Sequence, residues 1–323
     1  MRTEERLQLL AEIADQYYEQ GLTQNQIART HGYSRSAISR MLNEARDKHI
    51  VQIQINYPLQ RDRTLERTLE RQYDLQSAFV VKRGGLPYRH ILRRLGRLGA
   101  NYVIDNLPDE SILGISWGTT IFEVSNALTT ARRNFDVEVI HMMGTIGKGD
   151  PFIEGHELVR SIANSLGGKY HELHSPLIVE NKATQKALLN EPNIRETLDM
   201  ALDADLAIVG VGSTDTSIST LMTGGNISKE EMQNIQEQGA VGDICLNHYD
   251  QDGKVLDIDI NQRVIGIDIK KLAKSSCRVV GVAGDERKAS AILGALRGGF
   301  LDVLITDTHA ARSIIDSNGG TEK

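Results

Sequence analysis

The chain has 323 residues, a formal net charge of −6 and 40% hydrophobic residues, enough for one small and one large domain. That balance excludes a protein whose whole surface meets nucleic acid, so any basic surface must be local. No apolar run nears the roughly 20 residues a membrane-spanning helix needs, and the start, Met-Arg-Thr-Glu-Glu-Arg, lacks the apolar stretch of a signal peptide. Cys245 and Cys277 are the only cysteines. Each lies in an apolar run without metal-ligand spacing, so the expectation is buried thiols in the cytoplasm, with no metal and no cofactor.

In chain order, residues 4–20 read as a helix with Leu7, Leu10, Ile13, Ala14 and Tyr17 on one face, ended by Gly21. Residues 24–43 then carry the spacing of a helix-turn-helix. Ala28 is small where two helices cross closely, and Gly32 supplies the positive φ of the turn four residues later. Ile27, Ile38 and Leu42 give the apolar contacts; Thr23 and Ser34 are N-caps for the two helices. The second helix reads as a recognition helix whose outward N-terminal half reaches base edges. The DNA-contacting candidates are therefore Gln24, Ser34, Arg35, Ser36, Ser39 and Arg40, with Arg29, His31, Arg46, Lys48 and His49 placed to meet phosphates. Ile50 to Asn56 alternates as a short strand that suits a winged module, and Pro58 breaks it. This gives a DNA-binding domain over 1–57.

Residues 58–76, dense in Arg and Glu with Leu59, Leu65 and Leu69 as an apolar seam, read as a linker helix and a self-association element. From residue 77 to 323 strands and helices alternate, the signature of a doubly wound α/β domain with a mainly parallel sheet. Strands are expected at 78–81, 111–115, 137–142, 169–173, 206–211, 279–283 and 303–306. Helices are expected at 92–105, 119–128, 157–165, 229–238 and 286–296, with a hairpin-rich insertion over 241–268.

Three glycine-rich loops follow strands and open helices, where such sheets bind ligands. In the first, Gly118, Thr119 and Thr120 offer backbone amides and hydroxyls at a helix start, which suits a phosphate. In the second, Gly210, Gly212 and Ser213 let a ligand approach the backbone. The third places Lys288 just inside a helix start, unfavourable unless an anion lies nearby. A fourth loop, 143–156, mixes Gly144 and Lys148 with Asp150, Glu154 and His156 and is placed to cover a ligand. Trp117 is suited either to stacking on a ligand or to packing.

Over nearly its whole length the chain resembles the SorC family of bacterial transcriptional regulators. The resemblance is carried by Gly-Leu-Thr-Gln-Asn-Gln-Ile-Ala (21–28), Gly-Ile-Ser-Trp-Gly-Thr-Thr (114–120), Ala-Val-Gly-Asp-Ile-Cys (240–245), Gly-Ala-Leu-Arg-Gly-Gly (294–299) and Val-Leu-Ile-Thr-Asp (303–307). It implies an effector domain similar to sugar-phosphate isomerases and glucosamine-6-phosphate deaminase that binds a phosphorylated sugar, commonly within a tetramer. It also implies a phosphate loop at Gly118, Thr119 and Thr120, a phosphate-binding lysine at Lys288, and a sugar-side strand end at Gly210, Gly212 and Ser213, with Asp243 among the effector contacts. The deaminase-type Asp-Gly-His is absent, its place taken by Ser213-Thr-Asp-Thr-Ser.

The expected function is a DNA-binding regulator of a carbohydrate or polyol operon. A small, phosphorylated sugar controls it, and it acts as a homo-oligomer on a pseudo-palindromic operator, without catalysis or membrane contact. The alternative is a sugar-phosphate isomerase or deaminase carrying a DNA-binding arm, disfavoured because the loops assemble no acid–base pair.

Overall fold

A computed structural model describes residues 3–48, 50–51, 58–129, 135–145 and 155–319. The chain divides into two compact units at Pro58/Leu59. The first holds α1 (Thr3–Tyr18), α2 (Gln24–His31) and α3 (Arg35–Asp47). Their apolar faces close on one another: Leu10, Ile13, Ala14, Ile27, Ala28, Ile38, Met41, Leu42 and Ala45 form a buried cluster of their own. Thr23 caps α2 reciprocally with Gln26, whose side chain accepts from the Thr23 amide at 2.9 Å. Gly32 then turns the chain at φ 68°, its amide donating to the Ala28 carbonyl. Ser34 caps α3, its hydroxyl accepting from the Ala37 amide at 3.2 Å. The expected wing strand falls mostly within 52–57, outside the described residues.

The second unit opens with α4 (Arg63–Tyr73) and β1 (Ser77–Val81), followed by α5 (Tyr88–Asn106), β2 (Ser111–Ile115), α6 (Thr119–Leu128) and β3 (Val137–His141). Next come α7 (His156–Leu166), β4 (Lys169–His171), α8 (Lys182–Leu189), α9 (Pro192–Leu202), β5 (Leu206–Gly210), β6 (Gly212–Ser213), α10 (Thr220–Thr223) and α11 (Lys229–Glu237). The chain continues through β7 (Gly242–Ile244), β8 (Asn247–Tyr249), α12 (Ile269–Leu272), β9 (Arg278–Val282), α13 (Ala289–Arg297), β10 (Val303–Asp307) and α14 (Thr308–Gly319).

Seven strands make one parallel sheet in the order β1-β10-β9-β5-β2-β3-β4. The apolar runs seen in the sequence become these strands because helices cover both faces of the sheet; β10 is buried along its whole length. In one layer α6 packs on both α5 and α7, and in another α14 packs on both α4 and α13. From β2 the chain winds outward through β3 to β4, and from β5 it winds the opposite way through β9 to β10. The reversal leaves a crevice beyond the C-terminal ends of β2 and β5, the place where open α/β sheets take ligands. The hairpin expected within 241–268 is β7–β8, which joins β6 in a three-stranded antiparallel sheet beside that crevice.

The expected linker helix is a docked element instead. α4 packs on β1 and α14, Leu69 is fully buried and Leu59 and Leu65 lie against the core. Its charges are not all solvated. Glu66, 2% exposed, takes Arg61 Nε at 2.7 Å and Arg61 Nη2 at 3.0 Å, and accepts the Val80 amide at 2.9 Å. Both cysteines are buried and free. Among the described residues no helix is long and apolar enough to cross a membrane.

His141 ends β3 fully buried, and neither ring nitrogen has a hydrogen-bond partner among the described residues. Burial pushes its pKa down to about 3, helped by the nearby His156. The folded state therefore holds the ring neutral, whereas the unfolded chain takes a proton below about pH 6.5. Stability is thus expected to fall as pH drops from about 6.5 towards 3, by up to about 1.4 kcal/mol per pH unit from this group. Urea unfolding of wild type and His141→Leu between pH 7 and pH 5 checks this, the variant being expected to lose that share of the slope; parallel profiles would contradict it.

Candidate functional site

The crevice at the sheet reversal is a cleft lined by Ser116, Trp117, Gly118, Thr119 and Thr120 from the β2 side and by Gly210, Val211 and Gly212 from β5 and its exit. Asp243, Cys245 and Leu246 close it from the β7–β8 hairpin, and Lys288 from the start of α13. It contains about 480 Å³ of atom-free space, part of it open to solvent.

Three features give the cleft a positive end. Gly118, at φ 124°, begins α6 without a side-chain cap, so the first-turn amides of Thr119 and Thr120 keep their donors for a ligand. Lys288 occupies the N-cap position of α13, and its ammonium donates to the Val211 carbonyl at 2.7 Å. Although part of the residue stays accessible, burial pushes the ammonium below the usual lysine range, and Asp243 and Asp285 pull it back in part. A cation held against a helix N-terminus in this way calls for an anion. The Trp117 indole N–H is a third donor, buried and without a partner among the described residues.

The opposite wall carries an acceptor. Asp243 is buried, and its Oδ2 accepts the Leu246 amide at 3.1 Å. Its other oxygen packs on Gly212: a Cβ there would lie 2.0 Å from Asp243 Oδ1, so glycine is required for the carboxylate to sit where it does. Gly212→Ala is expected to cost about 1–3 kcal/mol of stability through overpacking and to displace Asp243 from the cleft. Thermal denaturation with and without effector reads both effects; an unchanged midpoint would refute the packing argument.

The hairpin tip is strained. Cys245 (φ 49°) and Leu246 (φ 57°) are consecutive left-handed residues in a two-residue turn, a geometry that favours Asn-Gly. Asn247 holds it, its amide donating to the carbonyls of Ile244, Cys245 and Ile267 at 3.0–3.2 Å. Strain of this kind gathers at binding sites, where surrounding structure fixes it. Burial pushes the Cys245 thiol above its ordinary range, which favours its protonated form. No histidine lines the cleft among the described residues. The arrangement can bind an anion at one end and hydroxyls at the other; among the described residues it presents no nucleophile–base pair.

Of the effector residues expected from sequence, Gly118, Thr119, Thr120, Gly210, Gly212, Asp243 and Lys288 come together in this cleft. Ser213 is not among the lining residues; its hydroxyl accepts the Asp215 amide at 3.2 Å. Gly144 is also outside the lining, packed where a Cβ would meet the Pro176 carbonyl at 2.6 Å. Lys148 lies outside the described residues. Thr220, Leu221, Cys245 and Leu246 line the cleft without having been singled out. The one available signal was the Gly-Asp-Ile-Cys segment, whose turn geometry is hidden by its non-glycine residues.

On the first unit, Arg35, Ser36 and Arg40 are exposed along α3 and Ser39 is half-buried. The Ser34 hydroxyl is occupied by the cap to the Ala37 amide and by a hydrogen bond with the Ser36 hydroxyl at 3.0 Å. Gln24 starts α2, half-buried.

A parallel sheet between two helical layers, with a cleft at its reversal point, joined to a small helical unit, defines a two-domain sensor protein. Residues 57–316 match the family described as "Putative sugar-binding domain". The chain is 32% identical over 312 residues to the deoxyribonucleoside regulator of Bacillus subtilis, covering 97% of this chain and 98% of that one. It is 29% identical to the sorbitol operon regulator of Klebsiella pneumoniae, over 98% of this chain and all of its relative. The crystal structure of that full-length regulator superposes with a TM-score of 0.73, covering 95% of this chain and 98% of the other. The chain belongs to the SorC family of sugar-controlled transcriptional regulators.

Proposed function

We propose that residues 1–57 form a winged helix-turn-helix domain that reads double-stranded operator DNA through α3, and that the cleft of the second unit binds a small phosphorylated sugar or polyol. The effector shifts the population between operator-competent and operator-incompetent states. One observation carries the effector reading: an uncapped helix start, the Lys288 ammonium and the Asp243 carboxylate converge on one cleft. The first two suit a phosphate, the third a hydroxyl. Relatives named for a deoxyribonucleoside and for sorbitol support a carbohydrate or polyol operon as the target. The protein acts in the cytoplasm as a homo-oligomer, because one helix-turn-helix engages one half-site and a pseudo-palindromic operator needs two. It is a sensor and not an enzyme, a reading that rests on relatives named as regulators.

The test is a thermal-shift panel of free and phosphorylated sugars and polyols, followed by operator titration with each stabilising compound. A phosphorylated compound that both stabilises the protein and changes operator affinity supports the reading; stabilisation by free sugars alone would overturn its phosphate part. Arg35→Ala and Arg40→Ala are each expected to weaken operator binding by about 1–3 kcal/mol. Full affinity and an unchanged salt dependence in both variants would remove α3 from the DNA interface.

A further inference from the structure

Away from the cleft, at the edge strand of the sheet, His156, Glu172 and His174 place one donor atom each within 4.8 Å of one another. His156 is the first residue of α7, and Glu172 and His174 lie just beyond β4. His156 Nδ1 is 2.7 Å and His174 Nδ1 3.7 Å from the same carboxylate oxygen, Glu172 Oε2. Among the described residues these two imidazoles are the only ion-pair partners of Glu172, whose side chain is 17% exposed. Leu173 between them is fully buried with Val179, Ile194 and Ile265, which fixes Glu172 and His174 on the outer side. His171 turns to Glu138 instead, at 3.1 Å.

We propose that His156, Glu172 and His174 form a binding site for a first-row divalent transition-metal ion, zinc in the first instance. Two imidazoles and one carboxylate are the donor types that zinc takes, at about 2.0–2.2 Å each. Tetrahedral placement at that radius needs donors about 3.4 Å apart, and the 2.7 Å and 3.7 Å spacings bracket it. With a single carboxylate among the donors, calcium and magnesium, which demand mostly oxygen, are poor fits. Three protein ligands leave at least one position for water or an exogenous donor. The ion cross-links the start of α7 to the segment after β4. That segment continues into Ser175, whose carbonyl accepts the Thr145 amide at 2.9 Å, and the Leu177 amide donates back to the Thr145 carbonyl at 2.9 Å. The site thereby braces the chain next to Met143, which lines the effector cleft.

The experiment titrates cobalt(II) into tag-free, full-length protein stripped with a chelator, following visible absorption, and then displaces it with zinc. One cobalt per chain, with bands of a four- or five-coordinate ion removed by zinc, is the expected result. His174→Ala and Glu172→Gln are each expected to weaken binding by at least about tenfold, since even groups behind the ligands are worth 10–100-fold. His171→Ala should leave it unchanged. His174 is 79% exposed, so its truncation leaves the fold intact. No saturation below about 1 mM cobalt, or equal binding by wild type and both ligand variants, would overturn the proposal.

Discussion

Replacing Lys288 by methionine is expected to weaken binding of a sugar phosphate by about 1.5–3 kcal/mol, roughly 10- to 150-fold, the range for a hydrogen bond to a charged group. The ammonium is held near the Val211 carbonyl and below its ordinary pKa by burial. A phosphate arriving between it and the α6 start would supply the charge its surroundings lack. Without ligand the variant should be as stable as wild type or more so, because a desolvated ammonium is lost and the stem is replaced by an apolar chain of similar length. Operator affinity without effector should stay near normal, so the variant would bind DNA and fail to respond. Because the folded pKa of Lys288 is lowered, effector affinity in wild type should decline at alkaline pH sooner than an ordinary lysine would allow, and the variant should lack that decline. Calorimetric titration of both proteins with the responding compound, in phosphorylated and free form, reads each expectation. Equal phosphate affinity in the two proteins would remove Lys288 from the site.

The largest stability effect is expected at Glu66, in the helix that composition marks as a linker. Glu66→Ala removes a buried carboxylate that accepts two bonds from Arg61 and one from the Val80 amide, with Arg63 at 3.2 Å. The guanidinium of Arg61, stacked 4.1 Å over the Phe79 ring, would lose its counter-charge, and the strand amide would lose its acceptor. Breaking a buried ion pair typically costs 3–5 kcal/mol. Arg61 keeps a fifth of its side chain in solvent, so about 2–4 kcal/mol is expected here. Glu66→Gln, which retains an acceptor for Val80 but no charge for Arg61, should fall between. Urea denaturation gives both numbers; a loss under about 1 kcal/mol for the alanine variant would mean that α4 is held by Leu69 and its apolar neighbours alone.

The reason Glu66 hides from sequence reading is general to what was legible here and what was not. The inner strands of the parallel sheet are visible because burial on both faces forces runs such as Leu-Ala-Ile-Val and Val-Leu-Ile-Thr to be apolar throughout, whereas edge strand β4, Lys-Tyr-His, is mostly exposed. α6 was found at its observed bounds, Thr119–Leu128, because a glycine start and a helical period coincide. α8 and α9 left no comparable trace: α8 buries no residue and α9 buries only Ile194 and Ala201, so no apolar stripe marks them. α14 was missed because it starts directly from β10, where Asp307 accepts the amides of His309 and Ala310 and no turn residue separates strand from helix. In the cleft, glycines and lysine were readable from local chemistry. Ser213 and Gly144 were placed with the ligand on the same logic, yet one bonds its own turn and the other packs on a carbonyl. The contributions of Cys245 and Leu246 depend on a turn that their residue types disfavour, and only long-range packing reveals it.

The pairing of β1 with β10, Ser77 opposite Val303 and Val81 opposite Asp307, ties an early part of the chain to one of its last. While the protein is being synthesised, α1, α2 and α3 have all the apolar partners they need and can fold as soon as they emerge. The sensor cannot finish: β1 has no neighbour until β10 is made, and β9 keeps an open edge. A premature stop anywhere before Val303 thus leaves β1 without its neighbour, β9 with an open edge and α4 without α14, however many strands precede it. Such a message would still yield an intact helical unit, released from any control by the cleft.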